Sequence, residues 1–154
     1  MGIISQVNFT ENVAIVSFEK AHAHIKFMSV MFDRVAKAGI NVDMISQNAP
    51  KGEYNTISFT VSDENVTDIL AIIADLKSEH KSLVPLVSSG NVKISLYGKE
   101  MPNNFGVAAD VFLKLNEQNI DTMLITTSDV DISIVVSSAN ADMAYNTLKN
   151  AYLK

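Results

Sequence analysis

The side chains that most often carry chemistry in proteins are scarce in this sequence. It contains no cysteine and three histidines, His22, His24 and His80. His22 and His24 lie two residues apart in a predicted loop, which could suggest a metal site, but the sequence has only one other histidine, His80. We therefore interpret His22 and His24 as exposed loop side chains and expect no bound metal.

Motifs for enzyme catalysis are missing as well. The sequence has no Gly-x-Ser-x-Gly nucleophile motif and no Gly-Lys-Ser or Gly-Lys-Thr phosphate loop. The net charge is −5, and the basic residues, which include a single arginine, Arg34, are scattered. Phosphate binding depends on concentrated positive charge, so a nucleic-acid partner is disfavoured. We expect a chain without catalytic activity of its own and without a cofactor.

The overall composition is that of a globular domain. Hydrophobic residues make up 47% of the chain and charged residues 19%, enough to form a sizeable core. The longest apolar runs fall far short of the roughly 20 residues that cross a bilayer. Residues 1–6 lack the basic and apolar regions of a secretory signal. We expect a cytoplasmic protein with no membrane partner.

Hydrophobic periodicity predicts the order βαββαβ for the first half of the chain. The apolar residues recur at helical spacing up to Gly39 and alternate with polar ones in the strand before Ser62. The predicted elements are strand 13–18, a helix from Ile25 to Gly39, strand 40–47, strand 54–61, a helix capped by Ser62 or Asp63, and strand 83–87.

The same order starts again at Asn91, which indicates an internal duplication. Phe32 and Ile40 line up with Phe112 and Ile120, at equal spacing in the two halves. The predicted elements of the second half are strand 92–97, helix 104–118, strand 120–127, strand 131–136 and helix 140–152.

The second copy lacks a final strand, whereas residues 3–9 precede the first copy unassigned. We predict a first module at 10–88 and a second at 89–154, completed by a strand from 3–9; a disordered lead-in is the alternative. Each would be an α+β, ferredoxin-like unit with two helices on one face of a four-stranded antiparallel sheet. Because such sheets have open edges and an uncovered face, we expect the modules to pair in a homo-oligomer.

Two regions of the sequence resemble the regulatory part of aspartokinases. Residues 39–48 (Gly-Ile-Asn-Val-Asp-Met-Ile-Ser-Gln-Asn) and strand 56–61 are similar to the first regulatory module of that family. Met101, residues 106–109 (Gly-Val-Ala-Ala) and 124–129 (Leu-Ile-Thr-Thr-Ser-Asp) are similar to the second. The resemblance implies tandem ACT modules that bind lysine, threonine or both. It also implies a homodimer and an attached aspartokinase catalytic domain, no part of which lies in this sequence.

The resemblance further implies where an amino-acid effector would bind. The first turn of each module's first helix, at 24–27 and 104–107, offers backbone N–H groups to an α-carboxylate. Polar strand ends could hold the α-ammonium group, although 126–128 could equally be a polar turn. The predicted effector-binding residues are Met101, Asn104, Phe105, Gly106, Val107, Ile120, Asp121, Thr126, Thr127 and Ser128 in the second module and Asp43, Ile45, Gln47 and Asn48 in the first.

The first pocket departs from the family pattern, because Ala23 and Lys26 stand where the family has aspartate and glycine. The second pocket keeps Gly106 and is therefore favoured. Asp121-Thr122-Met123 replaces a family stretch of the Asn-Ile-Glu type, so the choice between lysine and threonine stays open. Two other interpretations remain: an ACT module that only holds subunits together, and an ACT sensor of another enzyme.

Overall fold

The structure, a computed structural model, describes residues 2–153, which form an α+β chain with six strands and four α-helices. The residues divide into two compact units. The first unit comprises residues 12–89, and the second comprises residues 2–11 together with 90–153. Each unit has its own hydrophobic core.

The helices and strands follow the predicted order, and two of the strands contribute residues to both units. In chain order they are β1 (Gln6–His22), α1 (Ile25–Lys37), β2 (Ile45–Gln47), β3 (Tyr54–Ser62), α2 (Val66–Glu79), β4 (Val84–Tyr97), α3 (Val107–Glu117), β5 (Leu124–Thr127), β6 (Asp131–Val136) and α4 (Ser138–Tyr152). Short 3₁₀ turns, Asp63–Asn65 and Met101–Asn103, precede α2 and α3.

In the first unit the strand order is β2-β3-β1-β4. β3 pairs antiparallel with both β1 and β2. Its apolar side chains alternate and are buried together with the inner faces of α1 and α2. The largest buried side chains of this core include Phe18, Met31, Phe59 and Leu76.

In the second unit the strand order is β1-β4-β6-β5, with β6 antiparallel to β4 and β5. The core packs α3 and α4 against these strands through residues such as Ile94, Leu115 and Leu148. Ile4 and Val7 from the start of the chain are buried in the same core. The N-terminal segment is therefore an integral part of this unit.

The predicted fold class is confirmed, but the strands that follow α1 and α3 are shorter than predicted. β2 begins at Ile45 rather than residue 40, and β5 at Leu124 rather than residue 120. In both places the chain first ends the helix: Ile40 N–H donates to Val35 and Ile120 N–H donates to Leu115. The residue before each has a positive φ. The apolar side chains of Ile40 and Ile120 therefore belong to the helix ends and the core, and these two residues do not pair with a neighbouring strand.

Three helix starts were also predicted wrongly. α3 begins at Val107, not residue 104, because the 3₁₀ turn and a left-handed Gly106 come first. α4 begins at Ser138, not residue 140. Ser62 ends β3 and Asp63 begins the 3₁₀ turn, so neither directly precedes α2, and Ser62 makes no capping hydrogen bond with its side chain.

Four predicted strand segments are joined in pairs into the long strands β1 and β4. Residues with positive φ, Asn12 at 58° and Gly90 at 71°, lie within them between the predicted segments. These irregular positions explain why the pattern indicated separate strands. Between residues 2 and 153, no helix is both long and apolar enough to span a bilayer.

Candidate effector-binding site

The start of α3 borders a cavity of about 520 Å³ in the second unit. This volume lies in the range of small-molecule sites. Three parts of the unit line it: the N-terminal segment, the first turn of α3 and the end of α4. The lining residues are Gly2, Ile3, Ile4, Phe105, Gly106, Val107, Asp110, Ala151 and Tyr152.

Gly106 shapes the helix start that faces this cavity. It is the N-cap of α3 and has φ 83°, in the left-handed region that glycine adopts without steric cost. No side chain caps the first turn. The first N–H groups of a helix have no partner within the helix, and the positive end of the helix dipole lies beside them. This end of the cavity is therefore suited to an anionic group such as a carboxylate.

A hydrogen-bonded pair from two helices lies at the same cavity. The Tyr152 hydroxyl of α4 donates to Asp110 Oδ2 of α3 at 2.7 Å. Burial raises the pKa of Tyr152, and the hydrogen bond and the negative charge of Asp110 raise it further. The phenol thus stays protonated at neutral pH and remains a donor to the carboxylate.

Sequence reasoning missed both residues of this pair. They are 42 positions apart, and each occupies an ordinary place on a predicted amphipathic helix. Only the packing of α3 against α4 brings the two residues together. The hydrophobic periodicity of each helix does not indicate which other helix packs against it. The one available signal was a carboxylate in the first turn of a helix that had already been proposed as a ligand site.

Of the predicted residues in the second unit, Phe105, Gly106 and Val107 line the cavity. The Phe105 side chain is fully exposed. Met101 is instead buried in the core, and the Asn104 side chain donates to the Glu100 carbonyl oxygen.

The remaining predicted residues of the second unit lie elsewhere. Ile120 and Asp121 line a separate depression of about 330 Å³ beyond the last turn of α3. Eleven helical residues, about 16 Å, separate the two ends of this helix. Thr126 and Thr127 end β5, and Ser128 N–H donates to Asp131 in the turn to β6. Within this unit the strand-end groups do not join the cavity.

In the first unit the corresponding helix start is occupied by the protein itself. His24 is the N-cap of α1, and its Nδ1 accepts a hydrogen bond from Lys26 N–H at 3.1 Å. A cavity of about 420 Å³ lies beside it, lined by His22, His24, Lys26, Phe27, Val30, Glu79 and His80.

The interpretation of His22 and His24 as exposed loop residues is wrong for His22. His22 ends β1 and His80 follows α2, both are half-buried, and their ring centroids are 5.6 Å apart. His24 alone is exposed in a loop. Within the described part of the chain, no three metal-ligating side chains are grouped closely enough to hold an ion.

The other residues predicted for the first unit do not reach this cavity. Asp43 N–H donates to the Thr60 carbonyl oxygen, and Ile45 and Gln47 lie exposed on β2. Asn48 Oδ1 accepts from Thr56 N–H at 2.6 Å and borders a different depression. The second-unit cavity is therefore the stronger candidate, because its helix start carries no side-chain cap.

The cap on α1 can be tested directly. We expect His24→Ala to lower the free energy of unfolding by about 1 kcal/mol, because Lys26 N–H loses its acceptor. His24→Asn, which restores a favoured cap, should recover most of the loss. Urea denaturation of the two variants and the wild type would measure both values. Equal stability of His24→Ala and the wild type would contradict the capping role.

Comparison with known proteins agrees with this geometry. Residues 94–152 match the ACT domain family. The aspartokinase of Geobacillus stearothermophilus is 29% identical over 150 residues, which is 97% of this chain and 36% of that protein.

Two solved structures share the fold. The regulatory subunit of aspartate kinase from Thermus thermophilus, in its ligand-free form, superposes with a TM-score of 0.87 at 21% identity, over 97% of this chain and 98% of that one. Aspartokinase III of E. coli, in complex with lysine and aspartate, gives 0.74 at 18% identity, over 99% of this chain and 34% of that one.

Residues 94–152 are thus similar to an ACT domain. Over nearly its whole length the chain is similar to the regulatory region of aspartokinases, and the resemblance predicted from the sequence is confirmed. The chain spans 36% of the length of the Geobacillus relative.

Proposed function

We propose that this chain is the feedback-regulatory region of an aspartokinase. It binds lysine, threonine or both and controls an aspartokinase catalytic domain. An effector that binds one conformation of the regulatory region more tightly shifts the population of the catalytic domain by the same free energy. The similarity to aspartokinases supports this proposal, as does the lysine that accompanies the E. coli structural neighbour.

The observation that carries the proposal is the cavity at the start of α3. Its first-turn N–H groups carry no side-chain cap, and the cavity is large enough for an amino acid. Charge-assisted hydrogen bonds to a carboxylate each contribute on the order of 1.5 to 3 kcal/mol, so a few of them support micromolar binding.

Blocking this cavity gives the test. We expect Gly106→Trp to abolish the heat of lysine or threonine binding in calorimetry, and the thermal stabilisation that these amino acids give the wild type. Gly106→Ala is the matched control, since it imposes the same strain at φ 83° and its Cβ meets no atom within 4 Å. That variant should keep measurable binding. The cavity is ruled out as the site if Gly106→Trp still binds with wild-type affinity.

A purely structural role is the second candidate, and the first unit favours it. There the helix start is capped by His24, and Asn48 is held by Thr56, so neither group is free for a ligand. In this interpretation the region only holds kinase subunits together. Absence of stabilisation by any amino acid in the wild type, with an intact dimer in sedimentation, would favour it over the effector-binding proposal.

We also propose that the two units are the two ACT modules predicted at 10–88 and 89–154, the second completed by residues 3–9, and that they pair in a homodimer. The burial of Ile4 and Val7 in the core of the second unit supports the division. The edge strands β2 and β5 support pairing, because they expose Ile45 and Ile125 at equivalent positions of the two units. Exposed apolar edge strands tend to be covered in an assembly.

A further inference from the structure

All three histidines of the chain line the cavity of about 420 Å³ in the first unit. His22 comes from the end of β1, His24 precedes α1, and His80 follows α2. Imidazole is the side chain that ordinarily gains or loses a charge between about pH 5 and 8. The electrical charge around this cavity therefore depends on pH.

The hydrogen bond that caps α1 exists only while the His24 ring is neutral. Its Nδ1 accepts from Lys26 N–H at 3.1 Å, which requires a lone pair on Nδ1 and places the ring proton on Nε2. Protonation converts Nδ1 into a donor, so the cap is lost. The new positive charge then lies at the positive end of the helix dipole, which is a further cost.

The other two histidines are coupled to each other. The ring centroids of His22 and His80 are 5.6 Å apart, and both residues are half-buried. Two imidazolium ions at this distance repel each other, and partial burial weakens the screening by water. One proton can be shared by the pair at little cost, so the repulsion begins with the second proton.

The neighbouring charges do not compensate these protons. Lys26, in the first turn of α1, adds an ammonium group to the cavity lining. Glu79 of α2 is the one carboxylate among the described residues that line the cavity, and both of its oxygens already accept from Arg34 Nη2 at 2.8 Å. Tyr54 of β3 faces His22 at a centroid distance of 5.2 Å, and phenols are neutral in this pH range.

Phe27 connects the histidines to the core of the unit. Its ring centroid lies 5.0 Å from that of His80 and 6.4 Å from that of Phe18. Phe27 belongs to the first turn of α1 and is buried. A displacement of His80 therefore reaches a side chain through which α1 packs on the core.

We infer that the three histidines form a pH-sensitive switch at the start of α1. At neutral and alkaline pH, His24 caps the helix and His80 packs on Phe27. Below about pH 6, protonation releases Lys26 N–H from His24 and drives His22 and His80 apart, so the first turn of α1 loosens from the end of α2. This inference does not depend on the effector site proposed in the second unit.

The direction of the effect follows from the number of protons that each state binds. In the folded state, the cap excludes a proton from His24, and the His22–His80 pair accepts a second proton only against repulsion. The unfolded chain accepts all three protons without these costs. The switch therefore stabilises the first unit above the ordinary titration range of imidazole, about pH 6.5, and this stabilisation is lost as the pH falls below it.

Hydrogen exchange of the intact chain between about pH 8 and about pH 5 tests the switch, after correction for the intrinsic exchange rate of each amide. In the wild type, we expect the opening constant of amides 27–32 to rise about tenfold as the pH falls, as the loss of a helix cap predicts. His24→Asn keeps an acceptor that does not titrate and should reduce the rise to about threefold. His24→Asn combined with His80→Phe should hold it within about twofold.

The second unit supplies an internal control, because residues 2–11 and 90–153 contain no histidine. The opening constants of the α3 amides in the same samples should change less than about twofold. Nitrogen-15 spectra of the histidine rings give an independent readout, since the capping geometry requires the Nε2–H tautomer of His24 at about pH 8.

Three results would overturn the switch. The first is an equal rise of the opening constants in α1 and α3. The second is a rise in α1 that the double variant leaves unchanged. The third is an Nδ1–H tautomer of His24 at about pH 8, because that nitrogen could not then accept from Lys26 N–H. Calorimetry with amino acids at the α3 cavity is unaffected by any of these results, so the proposed function is tested separately.

Discussion

Replacing Phe59 by alanine is expected to lower the free energy of unfolding of the first unit by about 3 to 5 kcal/mol. Phe59 is 1% exposed on β3, and its ring centroid lies 5.2 Å from that of Phe32 and 6.3 Å from that of Phe18. The alanine variant loses the burial of the ring and leaves a cavity between the sheet and α1. Because whole domains are stable by only about 5–15 kcal/mol, the loss could unfold the unit. Hydrogen exchange of the amides in 12–89 would measure it.

Two further variants make this result interpretable. Phe59→Leu keeps most of the volume and should cost about 1 kcal/mol, so it remains measurable if the alanine variant does not fold. Phe105→Ala removes the same ring from a fully exposed position and should change stability by less than about 0.5 kcal/mol. Equal losses for Phe59→Ala and Phe105→Ala would show that β3 does not organise the core as described.

A glycine in the second unit should give the other large effect. A Cβ at Gly98 would lie 1.9 Å from the carbonyl oxygen and 2.9 Å from the carbonyl carbon of Ile3. Both are backbone atoms, so the whole N-terminal segment must move. We expect Gly98→Ala to cost about 3 kcal/mol, the upper end of overpacking effects. It should also weaken lysine binding, because Ile3 and Ile4 form one wall of the cavity. Urea denaturation and calorimetry would test the two effects.

Gly52→Ala provides the contrast for this prediction. Gly52 has φ 66° with no atom within 4 Å of its ideal Cβ, so alanine there meets strain but no clash. Its cost should be about 1 kcal/mol, with no loss of ligand affinity. A cost for Gly98→Ala no greater than that for Gly52→Ala would contradict the close packing of the N-terminal segment.

The order of helices and strands could be predicted because each has a strong local signal. The apolar residues of α1 recur at helical spacing, and β3 alternates along its whole length. The ends of strands carry weaker signals. Residues 40–44 are as apolar as a strand, but Ile40 completes the end of α1, and the Thr60 hydroxyl accepts a hydrogen bond from Met44 N–H. Such bonds depend on side chains that are distant in sequence.

Half of the candidate site was accessible to sequence reasoning. Gly106 and its neighbours could be placed at a helix start because a glycine there resembles the family's loop. The contacts that bring the other lining residues together could not be predicted, since Asp110 meets Tyr152, and Ile3 meets Gly98, only after the second unit has folded. The grouping of His22 with His80 was missed for the same reason.

The division of the second unit into residues 2–11 and 90–153 has a kinetic consequence. Contacts between the two segments close a loop that contains all of residues 12–89. Closing so long a loop costs conformational entropy before any contact forms. If the intervening residues fold first, β1 and β4 become neighbours and most of that search is complete. A slow-folding variant of residues 12–89 would then delay the appearance of the cavity without altering a single residue that lines it.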